Sequence, residues 1–144
     1  MRIEITRLDP GLPLPMPQHL HDAGHDLHAR EGTLLAPRGG RVLVPTGVAV
    51  AIPVGYAGLI LPRSGLALRH GVTCLNAPGL IDPHYRGELK VLLVNTDPTD
   101  PYHVQRGDRI AQLVVVPHEE VEWCEVAALS RTPRDTFGFG STGP

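Results

Sequence analysis

The chain is poor in cysteine, in aromatic rings and in long apolar runs, and each shortage excludes something. Cys74 and Cys124 lie far apart with no CxxC spacing. That argues against a disulfide framework or a thiolate zinc site and fits a reducing compartment. Each cysteine is expected to act as a small buried hydrophobe. No apolar stretch approaches the ~18 residues of a membrane-crossing helix. The opening MRIEITRLDP lacks the apolar core of an export signal, so a cytoplasmic location is expected. Neither charge sign dominates: Lys+Arg 13 against Asp+Glu 15 leaves a net charge of -2, with no global basic field for nucleic acid. The aromatics (Trp 1, Tyr 3, Phe 2) are too few for a base-stacking platform. What the chain has in plenty is turn-forming residues, Gly 16 and Pro 15, within 144 residues, the length of one domain. A hydrophobic fraction of 42% is enough for an ordinary core.

Short extended segments dominate the pattern. RIEITRL at 2–8 alternates apolar and polar and predicts a half-buried strand. RVLVPTGVAVAI at 41–52 reads as two strands around a Pro-Thr-Gly turn. GLILP at 58–62, VTCLN at 72–76, ELKVLLVN at 88–95, RIAQLVVV at 109–116 and VEWCEV at 121–126 are further strand candidates. Four prolines between 9 and 17 forbid a central strand or helix there. GLALRH at 65–70 is the only plausible helix. Strands recur with turns between them, so the expected class is all-β, a barrel or sandwich. A β domain over 1–130 is expected, followed by a flexible, glycine-rich arm over 131–144.

Five segments could carry chemistry. PRSGLA at 62–67 opens the short helix. There Arg63, the Ser64 hydroxyl and the backbone freed by Gly65 form an anion nest, although Ser64 could equally be a helix cap. NAPGLIDPHYRGEL at 76–89 reads as a tight hairpin displaying Asp82 and Tyr85. In GDRIAQL at 107–113, Gln112 falls mid-strand, a place where glutamine usually faces solvent. GFGSTG at 138–143 has converging backbone N–H groups and the Ser141 and Thr142 hydroxyls, but not the lysine of a P-loop. AGHDLHA at 23–29 sets Asp26 among apolar neighbours. His19, His21, His25 and His28 crowd together, which suits zinc, but solvated or hydrogen-bonding histidines are the expected reading.

Taken in order, AGHDLHA, PRSGLA, NAPGLIDPHYRGE, GDRIAQL and FGSTG resemble the five motifs of the trimeric dUTP pyrophosphatases (dUTPases), over residues 23–143. The resemblance implies a jelly-roll-like β-barrel or sandwich, assembled as a homotrimer with a C-terminal arm exchanged between chains. It implies Mg2+-dependent hydrolysis of dUTP to dUMP and pyrophosphate, which limits uracil in DNA and supplies dUMP for thymidylate synthesis. Asp82 matches the catalytic carboxylate, and Asp26 the residue that holds the metal through water. Arg63, Ser64, Gly65 and Gln112 would bind phosphates. Asn76 and the hairpin backbone, Gly79 included, would read uracil. Tyr85 would pack under the deoxyribose and exclude a 2′-hydroxyl. From the arm, Phe139 would stack on uracil, while Arg134, Gly140, Ser141 and Thr142 would close over the nucleotide. Arg86, Gly87 and Glu88 are expected to be structural, and Asp108 and Arg109 to make trimer or turn contacts. The arm departs from the family pattern, because Asp135 and Phe137 stand where glycines are common.

Two rivals share parts of this reading. A dCTP deaminase, alone or bifunctional with dUTPase, would need a glutamate on the strand after the hairpin, and LKVLLVN at 89–95 has no carboxylate. A dUTPase-like regulator that binds a partner protein would bind nucleotide without turnover.

Overall fold

Alternation decides where the chain extends. In β5 (Val48–Ala51), Val48 and Val50 are buried while Ala49 and Ala51 are half-exposed, the period-two pattern of a strand with one face on the core. The computed structural model describes residues 1–136 and 138, and among them the strands are short and the single helix, α1, spans Ser64–His70. β2 (His25–His28), β11 (Arg109–Pro117), β6 (Tyr56–Leu61) and β8 (Gly79–Ile81) form an antiparallel sheet in that spatial order. A second sheet orders β4 (Gly40–Pro45), β9 (Lys90–Asn95) and β7 (Val72–Cys74). β1 (Glu4–Arg7) pairs with β5, and β3 (Thr33–Leu35) with β10 (Tyr102–Val104).

One hydrophobic cluster joins these sheets. Leu27 of β2, Leu35 of β3, Leu93 of β9 and Ile110 of β11 are at most 1% exposed and belong to the same cluster. Each such side chain contributes about 1.5–3 kcal/mol by leaving water. No sheet closes on itself among the described residues, so the architecture is mostly β without a closed barrel.

The turn between β4 and β5 is held from both sides. Thr46 Oγ1 donates to the Leu89 carbonyl at 2.7 Å, and the Leu8 N–H donates to the Gly47 carbonyl at 2.7 Å. Gly47 has φ 74°, and a Cβ there would fall 2.9 Å from Asp9 Cβ, so only glycine fits.

Several expectations need correction. β1 forms, but all four of its residues are exposed: it is an edge strand paired on one side only. Residues 121–126 form no strand; Val121 and Trp123 are 64% and 90% exposed. Strand-forming residues there have no neighbouring strand to pair with, and propensity without a ladder does not hold a strand. Cys124 is exposed and only Cys74 is buried, its thiol pushed up to about 11 by burial. Strands β2, β3 and β10 escape the pattern. They are three or four residues long, and β2 (HDLH) is mostly polar. The Pro-rich stretch runs without a strand, as expected, yet Leu12 dips into the interior.

Candidate functional site

The first group of predicted residues meets at one end of the four-stranded sheet. The ladder places Asp26 opposite Gln112, and Gln112 opposite Leu61, the last residue of β6. Two residues later Arg63 caps α1 in an extended conformation and reaches back across that end. Asp26 is 1% exposed, yet it meets two guanidinium groups. Its Oδ1 lies 3.4 Å from Arg63 Nε, and its Oδ2 accepts from Arg109 Nη1 at 3.2 Å. Arg63 Nη1 also donates to the Arg109 carbonyl at 3.0 Å. A register shift between Arg109 and Ala111 interrupts β11 beside Arg109, and an irregularity of this kind re-aims a side chain at a sheet end.

Two cations around one buried carboxylate leave a net positive charge, which suits an anionic ligand. Asp26 Oδ1 is the one buried side-chain polar atom among the described residues that takes no hydrogen bond. Burial holds the His28 imidazole below its ordinary value; Asp26 opposes that shift, while Arg109 and Arg63 add to it. Gln112 does not face bulk solvent alone: a Cβ on Gly24 would come within 3.1 Å of its Cδ, so Gly24 leaves room for it. Ser64 is exposed as the first helical residue. The cap position belongs to Arg63, with no side-chain capping bond, so the cap reading of Ser64 is wrong. Gly65 lies under the Arg69 guanidinium, where a Cβ would approach Nη2 to 2.9 Å.

The second group sits on the chain that leaves β8. An open hollow of about 440 Å³ is lined by Leu43, Leu80, Ile81, Asp82, Tyr85 and Lys90. Asp82 is exposed, and its carbonyl accepts from the Tyr85 N–H at 3.1 Å, closing a turn. The Tyr85 hydroxyl donates to the Glu88 carbonyl at 3.0 Å. Its ring lies over Gly87, where a Cβ would collide with the hydroxyl oxygen. Arg86 Nη1 folds back onto the Pro83 and Tyr85 carbonyls at 2.5 and 2.8 Å, in keeping with a structural role. Asn76 is exposed beside buried Gly79, which pairs with Ile60.

The two groups do not meet within one chain. Ile81 pairs with Gly58, so Asp82 leaves the sheet near the start of β6, whereas Arg63 follows the end of β6. From Gly58 to Arg63 is five residues of extended chain, about 17 Å at ~3.4 Å per residue.

In the arm, Arg134 is exposed and Asp135 has φ 44°, a left-handed conformation that glycine adopts without strain. Phe137, Phe139, Gly140, Ser141 and Thr142 lie outside the described residues. Sequence reasoning missed two side chains. Arg109, expected to make trimer or turn contacts, also pairs with Asp26, a contact the motif reading did not assign. Lys90, the sole lysine, shares the hollow with Asp82. A lone lysine five residues after Tyr85 was the available signal.

Comparison with known proteins gives the family. The dUTPase family model matches residues 11–143. The deoxyuridine 5'-triphosphate nucleotidohydrolase of Thermobifida fusca is 57% identical over 143 residues, 99% of this chain and 79% of that protein. The Corynebacterium diphtheriae enzyme of the same name is 54% identical, covering 98% of this chain and 92% of its own. Among solved structures, a mutant dUTPase of Staphylococcus bacteriophage 80alpha with dUpNHpp superposes with a TM-score of 0.89. It is 29% identical and covers 99% of both chains. A mutant dUTPase from phage phi11 of S. aureus, described with a structural Mg(II) ion, gives a TM-score of 0.79 at 27% identity, covering 89% of this chain and 98% of its own. With the ordered motifs on their strands and turns, these matches establish that the chain belongs to the dUTPase family.

Proposed function

We propose that this protein hydrolyses dUTP to dUMP and pyrophosphate with Mg2+, in sites shared between the chains of a homotrimer. The observation that carries the shared site is the separation of Asp82 from the Asp26–Arg63–Gln112 group along β6. A nucleotide whose base and sugar sit in one chain's hairpin meets its phosphate partners on another chain. The jelly-roll arrangement and the exchange of the arm over 131–144 belong to the same proposal, as does a cytoplasmic site of action. No helix among the described residues is long and apolar enough to cross a membrane.

Each residue has a defined task. Asp82, exposed on its turn, accepts a proton from the attacking water as that oxygen bonds to the α-phosphorus. The bond from the α-phosphorus to the bridging oxygen breaks, and pyrophosphate departs with the electron pair. Asn76 and the backbone around Gly79 read the uracil edge, and Tyr85 walls the deoxyribose. Arg63, Ser64, Gly65 and Gln112 hold the phosphate chain. The arm residues Arg134, Phe139, Gly140, Ser141 and Thr142 close over the nucleotide and exclude bulk water.

The residues fit a magnesium ion of a particular kind. No three His, Cys, Asp or Glu side chains converge among the described residues, so no protein cage encloses a cation. Asp26 Oδ1 offers a buried acceptor with no hydrogen bond of its own. Mg2+ keeps its waters and binds largely through substrate phosphates, so a carboxylate that grips one of those waters is enough. When bound, the ion neutralises charge on the three phosphates.

The test mixes two inactive proteins. Asp82→Asn removes the hairpin's base, and Arg63→Gln weakens the phosphate end. Each alone is expected to release little pyrophosphate from dUTP. Refolded together, they are expected to regain turnover, because a mixed assembly contains sites with both residues intact. A mixture as inactive as its components would show that each chain builds its own site.

A further inference from the structure

The wall of the sugar gap is anchored by a polar chain that runs across the molecule to the N-terminal segment. Glu88 is at its centre. Its backbone carbonyl receives the Tyr85 hydroxyl at 3.0 Å. Its carboxylate Oε1 accepts from the Gly47 N–H at 2.8 Å and from Arg30 Nη1 at 3.4 Å. The Glu88 side chain is only 15% exposed, so these are sheltered charge-assisted contacts. Next to it, Leu89 is fully buried and exchanges bonds with Thr46 and Val48. Beyond Arg30 the chain continues. Arg30 Nε is 3.6 Å from Asp9 Oδ2, and Arg106 grips Asp9 at 2.5 and 3.0 Å while also donating to the Arg30 carbonyl at 2.6 Å.

Tyr85 itself is 43% exposed and stands on a loop; the hydroxyl bond and the bare face of Gly87 are what fix it. A ring that rejects one extra hydroxyl must be held to a fraction of an ångström, because the excluded atom is small. Bulk apolar packing cannot do that for a half-exposed side chain. A carbonyl can, if its own residue is pinned. We infer that Glu88, held by Arg30 and the β4–β5 turn, is the positioning residue for deoxyribose selectivity, acting through its carbonyl on the Tyr85 ring. Glu88 touches no substrate in this arrangement. It sets where the phenol stands, and the phenol sorts the sugars. The inference rests on the proposed dUTP chemistry and adds a determinant of specificity outside the pocket.

The experiment measures kcat/KM for dUTP and for UTP, with melting temperature alongside. Glu88→Ala removes the carboxylate from Gly47 and Arg30 and is expected to narrow the dUTP-over-UTP preference about tenfold, within the range that unpaired or displaced contacts impose. Glu88→Gln keeps an oxygen for the Gly47 N–H and is expected to recover most of that preference. Arg30→Met leaves Glu88 in place with one anchor and is expected to narrow it by about threefold. In the double variant Arg30→Met with Glu88→Gln the losses are expected not to add, since both act on one chain of contacts. Tyr85→Ala sets the floor, where the sugar wall is gone.

A merely structural Glu88 would lower the melting temperature and depress both substrates together, leaving their ratio at the wild-type value. That result would overturn the inference. If Glu88→Ala does not fold, an unchanged ratio in Arg30→Met would overturn it equally. Wild-type protein that turns over dUTP while these ratios stay fixed would sink this inference alone. Wild-type protein that leaves dUTP intact would sink the proposed function and this inference with it.

Discussion

The two halves of the site are built on opposite physical plans. At the Asp26 end the charges are paired in advance and the carboxylate is kept from water: it is 1% exposed, held by a sheet ladder between two partly exposed guanidinium groups. At the hairpin end the Asp82 carboxylate is exposed on a turn, and the order comes from backbone bonds and an anchored ring. The first plan suits a task that needs a standing field, which is gathering phosphate. The second suits one that needs access, since water has to reach the acceptor. On the proposed reading, the carboxylate that organises the cations is kept inside, and the one that meets water is left at the surface.

Substitutions at the two ends should therefore fail in different ways. The largest effect is expected from Asp82→Asn. Turnover should fall about a thousandfold, within the span of general-base contributions, while dUTP affinity and melting temperature stay near wild type. Calorimetric binding beside a pyrophosphate-release assay checks this, and a parallel loss of affinity would erase the contrast between the halves. Asp26→Asn should act the other way, on stability first. It leaves two guanidiniums beside a neutral amide. Breaking such a buried pair costs about 3 kcal/mol, to be read as a lower midpoint in urea. A variant as stable as wild type would mean the arginines relax into solvent.

The smallest effect concerns the distal anchor. Arg106 holds the Asp9 carboxyl down to about 2 from its ordinary 3.8. A depressed acid favours the folded state above its unfolded value and loses that contribution as pH falls through the folded one. Stability is thus expected to decline between about pH 4 and pH 2 in part through Asp9. Asp9→Asn should flatten that limb slightly, and an unchanged acid limb would place the titration elsewhere. Because Asp9 and Glu88 meet on Arg30, the same variant also shows how far the hairpin's precision depends on its remote support.

Much of this contrast is legible in the sequence, and the rest is hidden there for definite reasons. The longer strands β4, β6, β9 and β11, and short β5, show in the sequence as β-branched and apolar runs bounded by turn residues. The helix at Ser64–His70 appears where the only helical run lies. Motif order pointed to Asp26, Arg63 and Gln112, and the ladder brings them together. Arg109 lies inside GDRIAQL, but its pairing with Asp26 was hidden because the register shift beside it exists only in the folded strand. Strands β2, β3 and β10 were hidden because no apolar or β-branched run as long as the one that holds β5 marks them. Residues 121–126 misled in the other direction. Val121, Trp123 and Val126 have the composition of a strand, but a strand is a pairing, and composition does not supply a partner.

That last segment has a practical use. Trp123 is the chain's sole indole and stands 90% exposed, well past the end of β11. Intrinsic fluorescence excited at the red edge of protein absorption therefore reports on this one stretch and on nothing in the core. Emission of a wet indole moves to shorter wavelengths as water leaves its surroundings. A dilution series followed by colour alone would read whether the proposed assembly covers the segment, without any label and without a substitution near Asp26 or Asp82.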